Sequence, residues 1–171
     1  MKKTLLLLLV AMSVSLSGFA QKGRQAVGVD VPFRINWGEP SLGVGLKYQY
    51  NVSDYVCIEP VAQYYFLEGD YAWLNFIAML NSKFFFIQPN RFRPYGLIGA
   101  GVCNGSFECW DGCYGDIHDE FSYIIQAGFG LDYRLSYDWS WQLEFGYHIN
   151  DIYDDDDHSG FYISTGITYN F

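Results

Sequence analysis

Apolar and polar residues alternate along almost the whole chain after residue 20, and this period of two constrains the fold more than any other feature. Successive side chains of a β-strand point to opposite faces of its sheet, so the alternation predicts strands with one apolar and one polar face. The fifth segment is rich in Gly, and its pattern does not indicate which face is apolar. The predicted strands lie near residues 27–37, 42–51, 56–66, 74–86, 93–102, 123–134, 139–148 and 161–171.

The first twenty residues have the composition of a secretory signal peptide. Lys2 and Lys3 precede an apolar run from Leu5 to Val10, and Gly18-Phe19-Ala20 supplies the small residues of a cleavage site. We therefore expect residues 1–20 to be a cleaved signal peptide and residues 21–171 to form the mature domain. A membrane-anchoring helix is the alternative, although the run is short and is followed by Ser and Gly.

The composition excludes several classes of protein. A chain that is 50% hydrophobic and 20% aromatic is too apolar to be intrinsically disordered. A net charge of −9 and a pI near 4.5 provide no basic surface, so nucleic acid is not an expected partner. Four Cys in 171 residues are too few to build a disulfide scaffold.

Eight antiparallel strands predict an up-and-down barrel, which is either soluble around an apolar ligand or embedded in a membrane. We favour the membrane barrel because the small and polar face carries charges that balance, as a narrow polar interior requires. We expect these charged residues to form an interior network: Asp30, Arg34, Lys47, Glu59, Lys83, Asp132, Arg134 and Glu144. The predicted fold class is all-β, an eight-stranded antiparallel up-and-down transmembrane β-barrel.

Aromatic residues of the apolar face lie near the strand ends, and two aromatic rings suit the two interfaces of a bilayer. One predicted ring contains Trp37, Phe66, Tyr123, Tyr147 and Phe161. The other contains Tyr50, Phe84, Tyr133, Trp139, Trp141 and Phe171. An eight-stranded interior is just wide enough for side chains to fill it, so we expect no open pore. The large residues predicted to fill it are Arg34, Tyr65, Lys83, Phe85, Arg134 and Tyr162.

The end of the chain carries a family resemblance. Apolar residues alternate up to a terminal aromatic residue, at Ile163, Ile167, Tyr169 and Phe171. This ending resembles the signal read by the barrel-assembly machinery, and Arg93-Pro94-Tyr95-Gly96 resembles a fifth strand of the same kind of barrel. The chain as a whole resembles the small eight-stranded outer-membrane proteins of the OmpA/OmpX-like, outer membrane protein beta-barrel domain family. The resemblance implies a monomer in the outer membrane of a Gram-negative cell, without a cofactor, surrounded by lipid and lipopolysaccharide.

The connections at one end of the predicted barrel carry many acidic residues and no Lys or Arg. The densest run is Asp154, Asp155, Asp156 and Asp157. Carboxylates bind hard cations, but this run lacks the spaced ligands and the glycine turn of a dedicated calcium loop. We therefore expect a solvated, mutually repelling surface; loose divalent-cation binding, bridging to anionic lipopolysaccharide, is the alternative.

Cys103, Cys109 and Cys113 are predicted to share one loop, with His118 nearby. In an exported protein this spacing favours a local disulfide over a zinc site, and the pairing remains open. Cys57 is predicted at the far end of the third strand, beyond the reach of a disulfide to that loop, and is therefore expected to be free. Four reduced cysteines are the alternative.

Candidates for catalysis are few. His158-Ser159 is an adjacent pair at the height where a lipid A acylase or deacylase would act, but adjacency in a loop is weak support. His148 and Glu144 share the inward face of strand seven and are predicted to belong to the interior network. We expect a non-catalytic envelope protein with a surface-interaction role; an outer-membrane lipid-modifying enzyme and a soluble secreted lipocalin-like barrel are the alternatives.

Overall fold

The computed structural model describes residues 23–36, 39–67, 76–87, 91–107, 118–150 and 159–171. Each strand pairs antiparallel with its neighbours in sequence, and β1 pairs with β8, so the sheet closes into a barrel. The predicted fold class is confirmed. The strands are β1 (Gln25–Asn36), β2 (Glu39–Asn51), β3 (Val56–Leu67), β4 (Phe76–Phe85), β5 (Phe92–Phe107), β6 (His118–Arg134), β7 (Trp139–Asn150) and β8 (Gly160–Asn170). None of the described residues forms a helix long and apolar enough to cross a membrane.

The barrel has two unlike ends. The turn end carries the connections 52–55, 86–91 and 135–138 together with Phe171. The loop end carries the four other connections between strands. β5 and β6 have 16 and 17 residues and remain paired as far as Phe107 and His118, so this hairpin extends past its neighbours at the loop end. The sequence analysis ended the fifth strand too early and began the sixth too late.

Burial alternates along the strands as the sequence pattern predicts. In β4, every second residue from Ile77 to Phe85 is buried while Phe76, Leu80 and Phe84 are exposed. β5 has apolar residues on both faces, which is why its pattern was ambiguous. Tyr95, Leu97, Gly99 and Cys103 of this strand point inward, and Ile98 points outward.

The outer surface is a continuous apolar belt between two aromatic rings. Leu46 at the middle of β2 is 67% exposed, and Phe129 of β6 is 63% exposed. The predicted rings are present except for Trp37, which lies outside the described residues. At the turn end, Trp139 packs edge-on against Tyr169 with ring centres 5.1 Å apart. Exposure of so much apolar surface is unfavourable in water and suits contact with lipid.

Candidate functional site

A buried ion cluster occupies the middle of the lumen, centred on Lys83 of β4. Lys83 Nζ lies 2.7 Å from Glu59 Oε2 on β3 and 2.6 Å from Glu144 Oε1 on β7. Tyr95 donates its hydroxyl hydrogen to the same Glu144 oxygen at 2.7 Å, and its ring centre lies 4.7 Å from Lys83 Nζ. Because β4 and β7 are not neighbours in the sheet, the Lys83–Glu144 pair crosses the lumen.

Two carboxylates around one ammonium leave an excess of negative charge, which other lumen groups compensate. Lys47 Nζ of β2 lies 3.8 Å from Glu144 Oε1 and 4.0 Å from Asp30 Oδ2. Gln49 donates its amide hydrogen to Glu59, which further satisfies that carboxylate. A buried charge without such partners costs several kcal/mol, so these contacts are a condition for closing the barrel.

Asp30 of β1 is the common acceptor of a second group of polar contacts in the lumen. Its Oδ2 accepts hydrogen bonds from Gln63 Nε2 at 3.1 Å and from Ser164 Oγ at 2.7 Å. Arg34 lies four residues further along the same inward face and is only 3% exposed. Both charged residues of β1 thus point into the lumen, as the alternation predicts.

A line of neutral polar side chains runs from Glu59 to the loop half of β7. Asn81 donates to Glu59 Oε1 at 3.3 Å, and Gln126 donates to Asn81. His148 Nε2 lies 2.8 Å from Gln126 Oε1, and the imidazole stacks on Tyr162 at a centre-to-centre distance of 4.3 Å. His148 is therefore fixed by an amide and an aromatic ring.

At the turn end, Asp132 of β6 pairs with Arg93 rather than with Arg134. Arg93 Nη2 lies 3.0 Å from Asp132 Oδ2, and Gln142 Nε2 donates to the same oxygen at 3.0 Å. The guanidinium of Arg93 also lies over the Phe85 ring at 4.7 Å. Arg134 is half-buried at the last position of β6, and no ion pair to it occurs within the described ranges. All the predicted network residues except Arg134 are buried. Arg93, which was not predicted, belongs to the network instead of Arg134.

The lumen also contains two apolar clusters, one of which shares Tyr95 with the ion cluster. The turn-half cluster consists of Cys57, Phe85, Tyr95 and Leu97. The loop-half cluster consists of Tyr65, Ile77, Met79, Cys103 and Ile124. Together with the ion cluster, these side chains occupy much of the described interior.

The cysteine predictions have different outcomes. Cys57 is a buried free thiol near the turn end of β3, where the sequence analysis placed it. The assignment of Cys103 to a loop is wrong: it lies on β5 with its side chain in the lumen, and its Sγ is 3.5 Å from the Ser122 carbonyl oxygen. The error arose because β5 continues beyond the Gly-rich stretch. Cys109 and Cys113 lie outside the described residues.

The other candidate sites are located as follows. His158 and the acidic run from Asp154 to Asp157 lie outside the described residues, as do residues 1–22. The described part of the chain contains no group of His, Cys, Asp and Glu side chains arranged to hold a metal ion. Glu144 binds Lys83 while His148 binds Gln126, so these two residues do not form an acid–base pair. The predicted assembly residues Ile163, Ile167, Tyr169 and Phe171 all lie exposed on the outer face of the barrel.

Sequence reasoning missed Arg93 and Tyr95, which together complete the charged lumen. Both lie on β5, the strand whose facing the pattern left ambiguous. The residue opposite Arg93 in the β5–β6 register is Asp132, an acid already assigned to the interior. The spacing of that hairpin could have identified the pair.

Comparisons with known proteins agree with this architecture. The barrel is similar to the N-terminal β-barrel domain of Pseudomonas aeruginosa OprF, with a TM-score of 0.63 and 15% identity over 88% of this chain and 100% of that one. It is also similar to Neisserial surface protein A, with a TM-score of 0.61 and 12% identity over 87% and 97% of the two chains.

Ail, the attachment invasion locus protein of Yersinia pestis, has a TM-score of 0.52 and 17% identity over 88% of this chain and 100% of that one. At sequence identities this low, the structural similarity shows the fold alone.

No curated protein sequence matches this one significantly. The family model for the outer membrane protein beta-barrel domain matches residues 6–171. The chain therefore belongs to the outer membrane protein beta-barrel domain family, whose members are barrels of the Gram-negative outer membrane.

Proposed function

We propose that the chain is a non-catalytic, non-conducting barrel that presents an acidic loop end to the cell exterior. The observation that carries the first part of this proposal is the Lys83–Glu144 pair, which joins non-adjacent strands across the middle of the lumen at 2.6 Å. Buried apolar side chains of the turn-half and loop-half clusters support it further. The interior of an eight-stranded barrel is just wide enough for side chains to fill it, so we expect these groups to leave no continuous path for ions.

Conductance of the refolded monomer in a planar bilayer tests the closed lumen. We expect no large, stable conductance steps from the natural chain. The triple variant Glu59→Ala, Lys83→Ala and Glu144→Ala removes the ion cluster. We expect small conductance steps from this variant. The control triple variant Val44→Ala, Leu80→Ala and Ile98→Ala removes a similar side-chain volume from the outer face. It should show no conductance steps. Large steps from the natural chain would contradict the proposal.

The acidic loop end supports a surface role that depends on cations. The known structures include Ail in complex with the heparin analogue sucrose octasulfate, a polyanion. The loops of this chain carry acids and no Lys or Arg, so their field repels polyanions and attracts divalent cations. We propose that such cations bridge the loops to the phosphates of neighbouring lipopolysaccharide.

Binding to vesicles with and without lipopolysaccharide, measured over a range of Mg²⁺ concentrations, tests this bridging. Replacement of Asp154 to Asp157 by Asn should weaken the Mg²⁺-dependent binding. The control variant Asp54→Asn/Asp138→Asn removes acids at the turn end and should bind as the natural chain does. Binding that responds neither to Mg²⁺ nor to the loop variant would contradict the proposed role.

Export and assembly follow from the same proposal. Residues 1–20 would direct secretion and be cleaved before Gln21, and the barrel-assembly machinery would recognise the segment ending at Phe171. The intact mass of the protein purified from the outer membrane tests the cleavage, and its sedimentation in detergent tests the monomeric state. A mass that includes residues 1–20 would contradict the cleavage.

The proposal of a non-catalytic role is tested against its main alternative at His158. A lipid A acylase or deacylase with a His158–Ser159 centre would lose its product when His158 is replaced by Ala. We expect the lipid A acylation pattern of cells carrying His158→Ala to equal that of cells carrying the natural chain. A changed pattern would favour the enzyme.

A further inference from the structure

The Lys and Arg residues of the described ranges fall into two groups. One group belongs to the lumen and consists of Arg34, Lys47, Lys83 and Arg93. The other group lies at the turn end and consists of Arg24, Arg91 and Arg134, which we call the turn-end arginine cluster. The two ends of the barrel therefore differ in charge, because the loop-end connections carry acids and no Lys or Arg.

The members of the turn-end arginine cluster come from separate strands but lie close together. Arg24 and Arg91 directly precede β1 and β5, and Arg134 is the last residue of β6. The Arg134 N–H donates to the Arg91 carbonyl oxygen at 2.7 Å, which holds these two residues side by side. The charges of Arg93 and Arg24 each act on the Arg134 guanidinium more strongly than the charge of Asp132 does. Arg134 thus lies in a net positive environment.

The acidic residues of this end do not neutralise the cluster. Asp132 Oδ2 is already bound by Arg93 Nη2 and by Gln142 Nε2, each at 3.0 Å. Asp54 and Asp138 lie in the turns, and neither forms an ion pair with the arginines in the part of the chain that the structure describes. Because like charges held close together repel one another, an anion bound among them would be stabilised.

The turn-end arginine cluster lies at the level of the membrane interface. Phe92 and Tyr133 are opposite each other in the β5–β6 register, and Arg91 and Arg134 are the next residues toward the turn end. Aromatic residues at the ends of such barrels mark the interface, and one further residue extends the chain by about 3 Å. The guanidinium groups can therefore reach lipid phosphates, whose oxygens they bind through paired hydrogen bonds.

We propose that the turn-end arginine cluster binds the phosphodiester headgroup of one anionic phospholipid. The positive charge of the site favours such a headgroup over a zwitterionic one, while the acyl chains lie against the apolar belt. If the loop end faces the cell exterior, as proposed above, the lipid belongs to the inner leaflet of the outer membrane. Only this leaflet assignment rests on the proposed orientation, since binding of the lipid does not depend on it.

Native mass spectrometry of the refolded full barrel in a maltoside detergent, which contains no phosphate, tests the site. Three ligands are compared: dioleoyl-phosphatidylglycerol, dioleoyl-phosphatidylcholine and glycerophosphoglycerol, which is the headgroup of the first lipid without acyl chains. We expect the barrel to retain one phosphatidylglycerol molecule and to bind the other two ligands at least severalfold more weakly. Equal retention of phosphatidylcholine, or an equal affinity for glycerophosphoglycerol, would overturn the proposal of an anionic lipid.

Variants of the three arginines decide whether the cluster is the site. In the triple variant Arg24→Gln, Arg91→Gln and Arg134→Gln, the affinity for phosphatidylglycerol should fall about fivefold for each charge removed, and so about a hundredfold in all. The control variant carries Lys at the same three positions. It keeps the charges but loses the paired hydrogen bonds, so its affinity should fall by no more than about tenfold.

Heat-modifiable mobility on gels establishes that each variant is folded. The double variant Arg24→Gln/Arg91→Gln changes only residues outside the strands, so it tests the site even if the triple variant does not fold. Its affinity for phosphatidylglycerol should fall about twenty-five-fold. Undiminished retention of phosphatidylglycerol by a folded Gln variant, or an equal loss in the Gln and Lys triple variants, would overturn the proposal.

Discussion

The ring of Tyr162 lies over Gly146 of the neighbouring strand, so that a Cβ at Gly146 would come within 2.5 Å of Tyr162 Cε1. Tyr95 lies over Gly130 in the same manner, with its Cζ 2.5 Å from the position of a Cβ. Glycines of the inward face thus make the space in which the large lumen side chains lie. In such a narrow barrel, a large inward side chain on one strand needs a glycine beside it on the neighbouring strand.

Gly146→Ala should therefore destabilise the barrel. The added methyl group overpacks the lumen against a ring that is itself stacked on His148, and we expect a loss of about 1–3 kcal/mol in the free energy of unfolding. Urea unfolding in lipid vesicles, followed by tryptophan fluorescence, measures the loss. Gly96→Ala is the control, because its nearest neighbour is the terminal ring atom of Phe86 at 3.2 Å. An equal effect of the two variants would contradict the packing argument.

Lys83→Met should be one of the most damaging substitutions in the lumen. It leaves Glu59 and Glu144 buried without their shared cation, and removal of one partner from a buried ion pair typically costs about 3–5 kcal/mol. Lys47→Met is the control and should cost less, since its contacts with the carboxylates are 3.8 and 4.0 Å long. The triple variant Lys83→Met, Glu59→Gln and Glu144→Gln should recover part of the stability. Failure of the neutral triple to recover any would argue against a purely electrostatic origin.

Arg93→Gln and Arg134→Gln test which arginine completes the turn end of the lumen. Arg93→Gln removes the charge that faces buried Asp132, and we expect a loss of about 1–3 kcal/mol in unfolding free energy. Arg134→Gln removes a half-exposed charge, and its effect should stay within about 0.5 kcal/mol. Equilibrium unfolding of the two variants under identical conditions measures the difference. The reverse order would indicate that Arg134, rather than Arg93, balances the charge of Asp132.

The faces of most strands could be predicted from the sequence because alternation in a strand is a local property. Asp30, Lys47, Glu59 and Lys83 were assigned to the interior from their position parity alone, and they are buried there. The contacts among them depend on the stagger of the strands around the barrel, which the sequence of a single strand does not specify. The approach of Lys83 to Glu144 is a consequence of that stagger.

The errors of sequence analysis concentrate on β5 and β6. Tyr95 and Leu97 point inward while Ile98 points outward, so apolar residues on both faces remove the alternation that would orient the strand. The paired hairpin also extends to Phe107 and His118, past the point where an apolar outer face is required. Cys103 was therefore assigned to a loop, although it lies within a strand.

Leu46→Arg should be strongly destabilising although it touches no lumen residue. Leu46 lies near the middle of β2 on the outer face, and an arginine at the centre of the bilayer costs about 2–4 kcal/mol in such barrels. Leu135→Arg is the matched control: Leu135 is 56% exposed but lies in the turn between β6 and β7. We expect a small effect there because the turn lies outside the apolar belt. Comparable losses for both variants in lipid vesicles would contradict the position of the belt.

Phe171→Ala should impair assembly in the cell while leaving the folded barrel nearly as stable as before. Phe171 is 65% exposed, and its backbone N–H still donates to the Gln25 carbonyl oxygen at 2.9 Å in the variant. The loss of one ring from the membrane interface should change the unfolding free energy by about 1 kcal/mol in vitro, which is too little to unfold the barrel. If the C-terminal residues are an assembly signal, the fraction of heat-modifiable protein in the outer membrane should nevertheless fall severalfold. Phe161→Ala removes a ring that is 69% exposed at the loop end of the same strand and should assemble normally. Equal losses of folded protein for the two variants would show that the ring at Phe171 has no special role in assembly.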